Sequence, residues 1–150
     1  MTPAQVTTVQ RSFSAVLPRA DAVARGFYAH LFALDPSLEA LFKADMAEQR
    51  RKLMLTLGSV VQQLHDIGSI LPGVRALAVR HAGYGVEERD YPVVGQALLQ
   101  ALAQAVPDFG TAERDAWEAA YTALSSAMIE AARETRGRSA VGRAVRPRTG

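Results

Sequence analysis

Apolar residues recur at helical spacing along almost the whole sequence, and this periodicity is the feature that most constrains the fold. A repeat of three or four residues marks the buried stripe of a helix. The first two such stripes comprise Val6, Val9, Phe13, Val16 and Leu17, then Val23, Phe27 and Leu31 with Ala24 and Tyr28 beside them. No stretch shows the sustained two-residue alternation of a half-buried strand. The sequence therefore predicts an all-α fold with six or seven helices.

Capping residues and helix breakers predict where these helices begin and end. Thr2, Pro3 and Gln5 form a capping-box start, and Asp35-Pro36 begins a short segment that ends at Leu41-Phe42. The remaining predicted boundaries are a long helix from about 45 to 66, breaks at Gly68 and at Leu71-Pro72-Gly73, a helix from Val74 to about Gly83 or Gly85, a helix capped by Asp90, a break over 107–110 and a last helix capped by Thr111.

Length and composition indicate one globular domain followed by a basic tail. A chain of 150 residues can bury a substantial hydrophobic core without the support of disulfides or bound metals. The absence of cysteine excludes disulfides and thiolate chemistry. Residues 133–150 hold six arginines and one glutamate. We expect a folded domain over 1–134 and a disordered tail over 135–150. A solvated extension is favoured over a nucleic-acid or membrane contact. Neither a membrane span nor a signal peptide is expected, which favours the cytoplasm.

One histidine lies where the helical pattern requires an apolar residue. His81 continues the stripe of Val74, Leu77 and Ala78, whereas His30 and His65 are expected to be structural or surface residues. By periodicity alone, His81 is better interpreted as a core histidine whose ring nitrogens are hydrogen-bonded than as a ligand. The chain contains no phosphate-binding glycine loop, nucleophile elbow or zinc-protease motif.

Two further polar side chains lie on apolar faces. Gln49 shares the inward face of Leu53 and Leu57, and Tyr28 adjoins Phe27. Small domains rarely bury several polar groups without a partner. A large apolar cofactor with one polar centre would account for His81, Gln49 and Tyr28 together.

The sequence resembles bacterial single-domain haemoglobins and the globin half of flavohaemoglobins. The resemblance extends from about Thr2 to about Ala132. The stretches that carry it, in the family's order and near its spacing, are FYAHLFALDPSLEALF, EQRRKLMLTLG, ILPGVRALAVRHAGYGV, YPVVGQALL and AWEAAY. It implies a globin fold around a haem b pocket that binds O2, NO or CO.

The resemblance also implies a role for individual residues. His81 matches the proximal histidine that ligates the iron, and Tyr28 and Gln49 match a distal pair that stabilises bound oxygen. Glutamine is a poor iron ligand, so the sixth position should stay open. The residues expected to contact the haem are Phe42, Leu53, Leu57, Arg80 (as a propionate partner), Val86, Tyr91, Val94 and Met128. Plain core packing remains an alternative for Met128 and Trp117, and anchoring of a helix start for Tyr91.

Departures from the family pattern leave the function open between two classes. The family glutamate of the last helix aligns with Ala132, while Glu130 faces elsewhere, and the loop between Phe42 and Gln49 is short. The first hypothesis is reversible oxygen binding. The second is nitric oxide dioxygenase activity, which would need an external reductase because the resemblance covers only the globin half. A sensor with the same fold but no haem, in which His81 is a core residue, is a third and less favoured interpretation.

Overall fold

The structure, a computed structural model, describes residues 1–42 and 45–142. Within those ranges every regular element is a helix, which confirms the predicted all-α fold. The six α-helices are α1 (Pro3–Val16), α2 (Ala20–Leu34), α3 (Met46–Gln62), α4 (Ile67–Gly83), α5 (Asp90–Ala105) and α6 (Thr111–Gly142). Short 3-10 segments cover Leu17–Arg19, Pro36–Leu41 and Leu64–Asp66. None of the helices in the described ranges is both long and apolar enough to cross a membrane.

The first helices begin where their capping residues predict. The Thr2 hydroxyl accepts a hydrogen bond from the Gln5 backbone, and the Gln5 side chain accepts one from the Thr2 backbone. The Asp35 carboxylate caps the segment Pro36–Leu41 by accepting from the Ser37 N–H at 3.1 Å. Such caps satisfy donors that the helix itself leaves unpaired. One detail of the first stripe is wrong, because Leu17 is 49% exposed.

The boundary between α3 and α4 differs from the prediction. Helix α3 ends at Gln62, and α4 begins at Ile67 and continues through Pro72 to Gly83. The expected breaks at Gly68 and at 71–73 are therefore wrong. A tertiary contact supports the observed end, since the Gln10 side chain of α1 donates to the Val61 carbonyl at 3.1 Å. A carbonyl at the C-terminal end of a helix needs such an outside donor.

Buried side chains form two separate hydrophobic clusters. The larger one, the main core, joins α1, α2, α3, α5 and the first half of α6, with Val9, Val16, Leu31 and Leu102 as its largest fully buried side chains. The smaller one, the α4 core, consists of Val74, Ala78, Tyr91, Met128 and Ala131. Helix α4 thus packs mainly on α6. Helix α3 therefore contributes its buried side chains to the main core, and α4 contributes its own to the α4 core.

The basic C-terminal segment begins as a continuation of the last helix. Helix α6 runs without interruption from Thr111 to Gly142, so residues 135–142 are helical. The rest of the predicted tail, 143–150, lies outside the described residues, and so does the middle of the short loop, at 43–44. The proposed boundary after residue 134 stays a prediction.

Candidate functional site

His81 lies in the last turn of α4 with one ring nitrogen bound to its own helix. Its Nδ1 is 2.9 Å from the Leu77 carbonyl oxygen. A carbonyl can only accept, so Nδ1 carries the proton and Nε2 keeps a lone pair. Burial lowers the pKa of His81, the Leu77 hydrogen bond raises it and the charge of Arg80 lowers it again, with a net shift below the usual value. The ring is therefore neutral near pH 7, the form in which histidine ligates a metal.

The turn after His81 is held close to it by backbone hydrogen bonds. The N–H groups of Tyr84 and Val86 both donate to the His81 carbonyl, at 3.1 and 3.0 Å. Gly85 between them adopts a φ of 99°, a left-handed conformation that costs glycine little. This turn brings Val86 against the α4 core. The structure thus places Val86, Tyr91 and Met128, three of the predicted haem contacts, in the cluster on which His81's helix packs.

Tyr28 lies in an aromatic cluster of the main core. It is 5% exposed, and its ring centroid lies 4.9 Å from that of Phe27, 5.3 Å from that of Phe42 and 5.9 Å from that of Phe32. Burial raises the pKa of Tyr28 above its usual value, so its hydroxyl keeps its proton and remains a donor at neutral pH.

Gln49 meets Tyr28 from the first turn of α3. The side chain of Gln49 lies near enough to the Tyr28 hydroxyl to lower the pKa of Tyr28 and partly oppose the effect of burial. Asp45 positions this turn, since its carboxylate accepts from the Ala47 N–H at 2.9 Å. The two polar residues that the sequence singled out on different helices are thus brought together.

The remaining predicted contacts pack against the main core and are only half buried. Phe42, Leu53, Leu57 and Val94 belong to this group. The neutral imidazole on α4 can ligate a metal. The half-buried apolar side chains of the main core and the α4 core suit contact with an apolar ring around that metal. The residues present therefore fit a haem.

Among the described residues, the other histidines and the acidic side chains form no second metal site. His65 is exposed, and His30 shares a hydrogen bond of 3.1 Å with the Gln104 side chain. In the part of the chain that the structure describes, no three histidine, aspartate or glutamate residues come together in a way that could hold a metal ion. Arg80, the expected propionate partner, is exposed, and that role stays a prediction.

Ala132, the position that the resemblance aligns with a family glutamate, carries no carboxylate. Ala132 is 6% exposed, whereas Glu130 is exposed on another face of α6. A different side chain reaches the backbone of Tyr91: the Tyr121 hydroxyl donates a hydrogen bond to the Tyr91 carbonyl at 2.6 Å. The sequence interpretation missed this contact, because it joins residues thirty positions apart.

An ion pair beside the distal residues was also missed. The Arg50 Nε donates to the Asp21 carboxylate at 2.8 Å and links α3 to α2. Of the two pairs that Asp21 makes, the one with Arg25 follows a spacing that is readable from the sequence, four residues along one helix.

Comparison with known proteins gives a consistent match. A model of the globin family matches residues 25–128. The flavohemoprotein of Deinococcus radiodurans is 31% identical over 133 residues, which cover 86% of this chain and 33% of that protein. The flavohemoprotein of Oceanobacillus iheyensis is 28% identical over 118 residues, 76% of this chain and 29% of that protein. The chain thus spans about a third of the length of these relatives.

Solved structures agree with the fold. A bacterial globin from Campylobacter jejuni superposes with a TM-score of 0.80 at 22% identity, covering 91% of this chain and 99% of that one. An engineered carbene transferase, described as a putative nitric oxide dioxygenase from Rhodothermus marinus, superposes with a TM-score of 0.83 at 22% identity, covering 92% and 97%. At this level of identity, the likeness shows a shared fold.

Proposed function

The chain belongs to the globin family, whose members bind haem and small gas ligands, and we propose that it is a haem b protein that reversibly binds oxygen. The observation that carries this proposal is the state of His81. Its Nδ1–H donates a hydrogen bond to the Leu77 carbonyl at 2.9 Å, and burial lowers its pKa and so keeps the ring neutral. A haem bound here would supply the iron to which a diatomic gas attaches, and Nε2 of His81 would hold that iron.

The distal residues supply hydrogen-bond donors to the gas. Tyr28 stays protonated because burial raises its pKa, and Gln49 adds an amide donor. In a dry pocket each donor contributes about 1–2 kcal/mol to a polar ligand. Two donors favour tight oxygen binding with slow release. Because an amide binds iron poorly, Gln49 would leave the iron free to bind O2, NO or CO.

The apolar side chains hold and shield the haem. Phe42 would pack on the ring from the distal side, and Leu53 beside it would restrict the space around the ligand. Leu57, Val86, Tyr91, Val94 and Met128 would line the rest, and Arg80 would pair with a propionate. Such a lining excludes water, which strengthens the hydrogen bonds from Tyr28 and Gln49.

The second candidate function is nitric oxide dioxygenase activity. Two observations favour it: the curated relatives above are flavohemoproteins, and one structural neighbour is described as a putative nitric oxide dioxygenase. In this function an external reductase would return the iron to its ferrous state. Ala132, in place of the family glutamate, argues for reversible binding. Turnover of nitric oxide with a cellular reductase would separate the two functions.

An absorption spectrum of the purified, haem-saturated protein tests the proposal. We expect a Soret band, a five-coordinate ferrous spectrum after reduction and a stable oxygen complex in air. His81→Ala should lose the histidine-ligated spectrum, whereas His65→Ala, a change at an exposed histidine, should keep it. Failure of the wild-type protein to take up haem would leave a haem-free globin fold, and a six-coordinate ferrous form would exclude the open distal site.

A further inference from the structure

A partly buried ion pair joins the two helices that carry the distal residues. The Arg50 Nε lies 2.8 Å from the Asp21 Oδ1, and the other oxygen of Asp21 accepts from the Arg25 Nε at 2.7 Å. The side chain of Arg50 is only 15% exposed, against 59% for Asp21. The arginine is therefore inside the α2–α3 contact, and the carboxylate closes that contact from the solvent side.

The positions of these residues relate the ion pair to Tyr28 and Gln49. Asp21 and Tyr28 are seven residues apart on α2, so they lie on one face of that helix. Arg50 directly follows Gln49 in the first turn of α3. Burial raises the pKa of Tyr28, and the positive charge of Arg50 lowers it by less than burial and Gln49 change it. The ion pair is thus placed to act on both donors.

We propose that Arg50, anchored by Asp21, is a positioning residue that holds Gln49 against Tyr28 and adds positive potential to the distal side. The inference rests on the proposed function, because it concerns the gas that these donors would meet. Its physical basis is the low exposure of the arginine. A charge partly removed from water is screened less by solvent and salt than an exposed one.

The next residue along α3 provides a matched control. Arg51 is 59% exposed, and it pairs with Glu48 three residues earlier on the same helix. Exposed pairs of this kind contribute little, and their charge is largely screened. Removing Arg51 changes the net charge of the protein by the same amount as removing Arg50 but leaves the α2–α3 link intact.

The experiment compares haem-loaded wild type with Arg50→Gln, Arg50→Lys, Asp21→Asn and Arg51→Gln. The readouts are the C–O stretching frequency of the carbon monoxide complex by infrared spectroscopy and the oxygen dissociation rate by stopped flow. Positive potential near carbon monoxide draws electron density into its antibonding orbital and lowers this frequency. Circular dichroism shows whether each variant is folded.

Arg50→Gln should raise the C–O frequency and speed oxygen dissociation about 3- to 10-fold, a modest effect in keeping with one partly buried charge pair. Arg50→Lys should restore part of the frequency shift, because the charge returns without the guanidinium geometry. Asp21→Asn removes the anchor but leaves the charge of Arg50, so it should speed oxygen dissociation by less than Arg50→Gln without raising the C–O frequency, and its dissociation rate should carry the test if Arg50→Gln does not fold. Arg51→Gln should leave both readouts at their wild-type values.

Two results would overturn the inference alone. One is a shift in Arg50→Gln no larger than that in Arg51→Gln. The other is full additivity in the Asp21→Asn, Arg50→Gln double variant, because residues that act through one contact are not additive. Absence of a haem or carbon monoxide complex in the wild-type protein would instead overturn the proposed function, and the inference with it.

Discussion

Gly95 is the position where the structure makes the sharpest prediction about packing. A Cβ at Gly95 would lie 2.7 Å from the Cε2 and 2.8 Å from the Cδ2 of the Tyr121 ring, below the 3.0 Å that real Cβ atoms respect. The ring cannot retreat freely, since its hydroxyl donates to the Tyr91 carbonyl at 2.6 Å. Gly95→Ala must therefore shift Tyr121, helix α5, or both.

The change in the free energy of unfolding follows from one stabilising and two destabilising contributions. Alanine in a helix interior is favoured over glycine by about 0.5–1 kcal/mol. Forcing extra volume into a packed contact costs about 1–3 kcal/mol, and loss of the Tyr121 hydrogen bond costs about 1 kcal/mol more. We expect Gly95→Ala to lower the free energy of unfolding by about 1–3.5 kcal/mol in total.

Urea denaturation followed by circular dichroism measures this change, with all variants in the same haem-binding state. Gly73→Ala is the control, because nothing lies within 4 Å of a Cβ at that helical glycine. It should raise the free energy of unfolding by about 0.5–1 kcal/mol. In a Tyr121→Leu background the cost of Gly95→Ala should largely disappear. A Gly95→Ala variant that is stabilised like the control, or one whose cost is the same in both backgrounds, would refute the reasoning.

Three further changes test the distal donors, the core and a buried carboxylate. Tyr28→Phe removes one donor and should speed oxygen dissociation about 5- to 30-fold, the equivalent of about 1–2 kcal/mol, measured by stopped flow; an unchanged rate would contradict the donor role. Ser12→Ala leaves the buried indole N–H of Trp117 without its acceptor at 2.8 Å and should cost about 1–3 kcal/mol of unfolding free energy, whereas Ser14→Ala on the exposed face should cost almost nothing. Burial raises the pKa of Asp90, so the native state binds this proton more tightly than the unfolded state. Its contribution to stability is present below the usual pKa of 3.8 and is lost as the pH rises through the higher pKa of the native state, so urea midpoints should show wild type falling relative to Asp90→Asn as the pH rises above that value.

Local periodicity was sufficient to predict the inward face of α2. Val23, Phe27 and Leu31 were placed on one stripe, and all three are at most 4% exposed. The same reasoning put Val74 and Ala78 beneath His81, where both are buried. These predictions succeeded because which face a helical residue occupies depends only on its position in the repeat.

The end of α3 could not be predicted in the same way. No glycine or proline separates Gln62 from Ile67, and the donor that satisfies the Val61 carbonyl comes from Gln10, fifty-one residues earlier. Pro72, a strong breaker in any local rule, stays inside α4. Tertiary contacts decide such boundaries, and a single sequence contains no measure of them.

The distal site shows where prediction from helix faces stops. Tyr28 and Gln49 were each identified on an apolar stripe, but only the packing of α2 on α3 joins them. Arg50 and Arg51 are neighbours of one type in a charged stretch, yet Arg50 is 15% exposed and Arg51 59%. The difference lies in the partner, because Asp21 is on the opposing helix and Glu48 is on the same one. A charged residue next to a predicted ligand-binding residue should therefore be checked against opposite charges on the helix it faces before it is assigned to solvent.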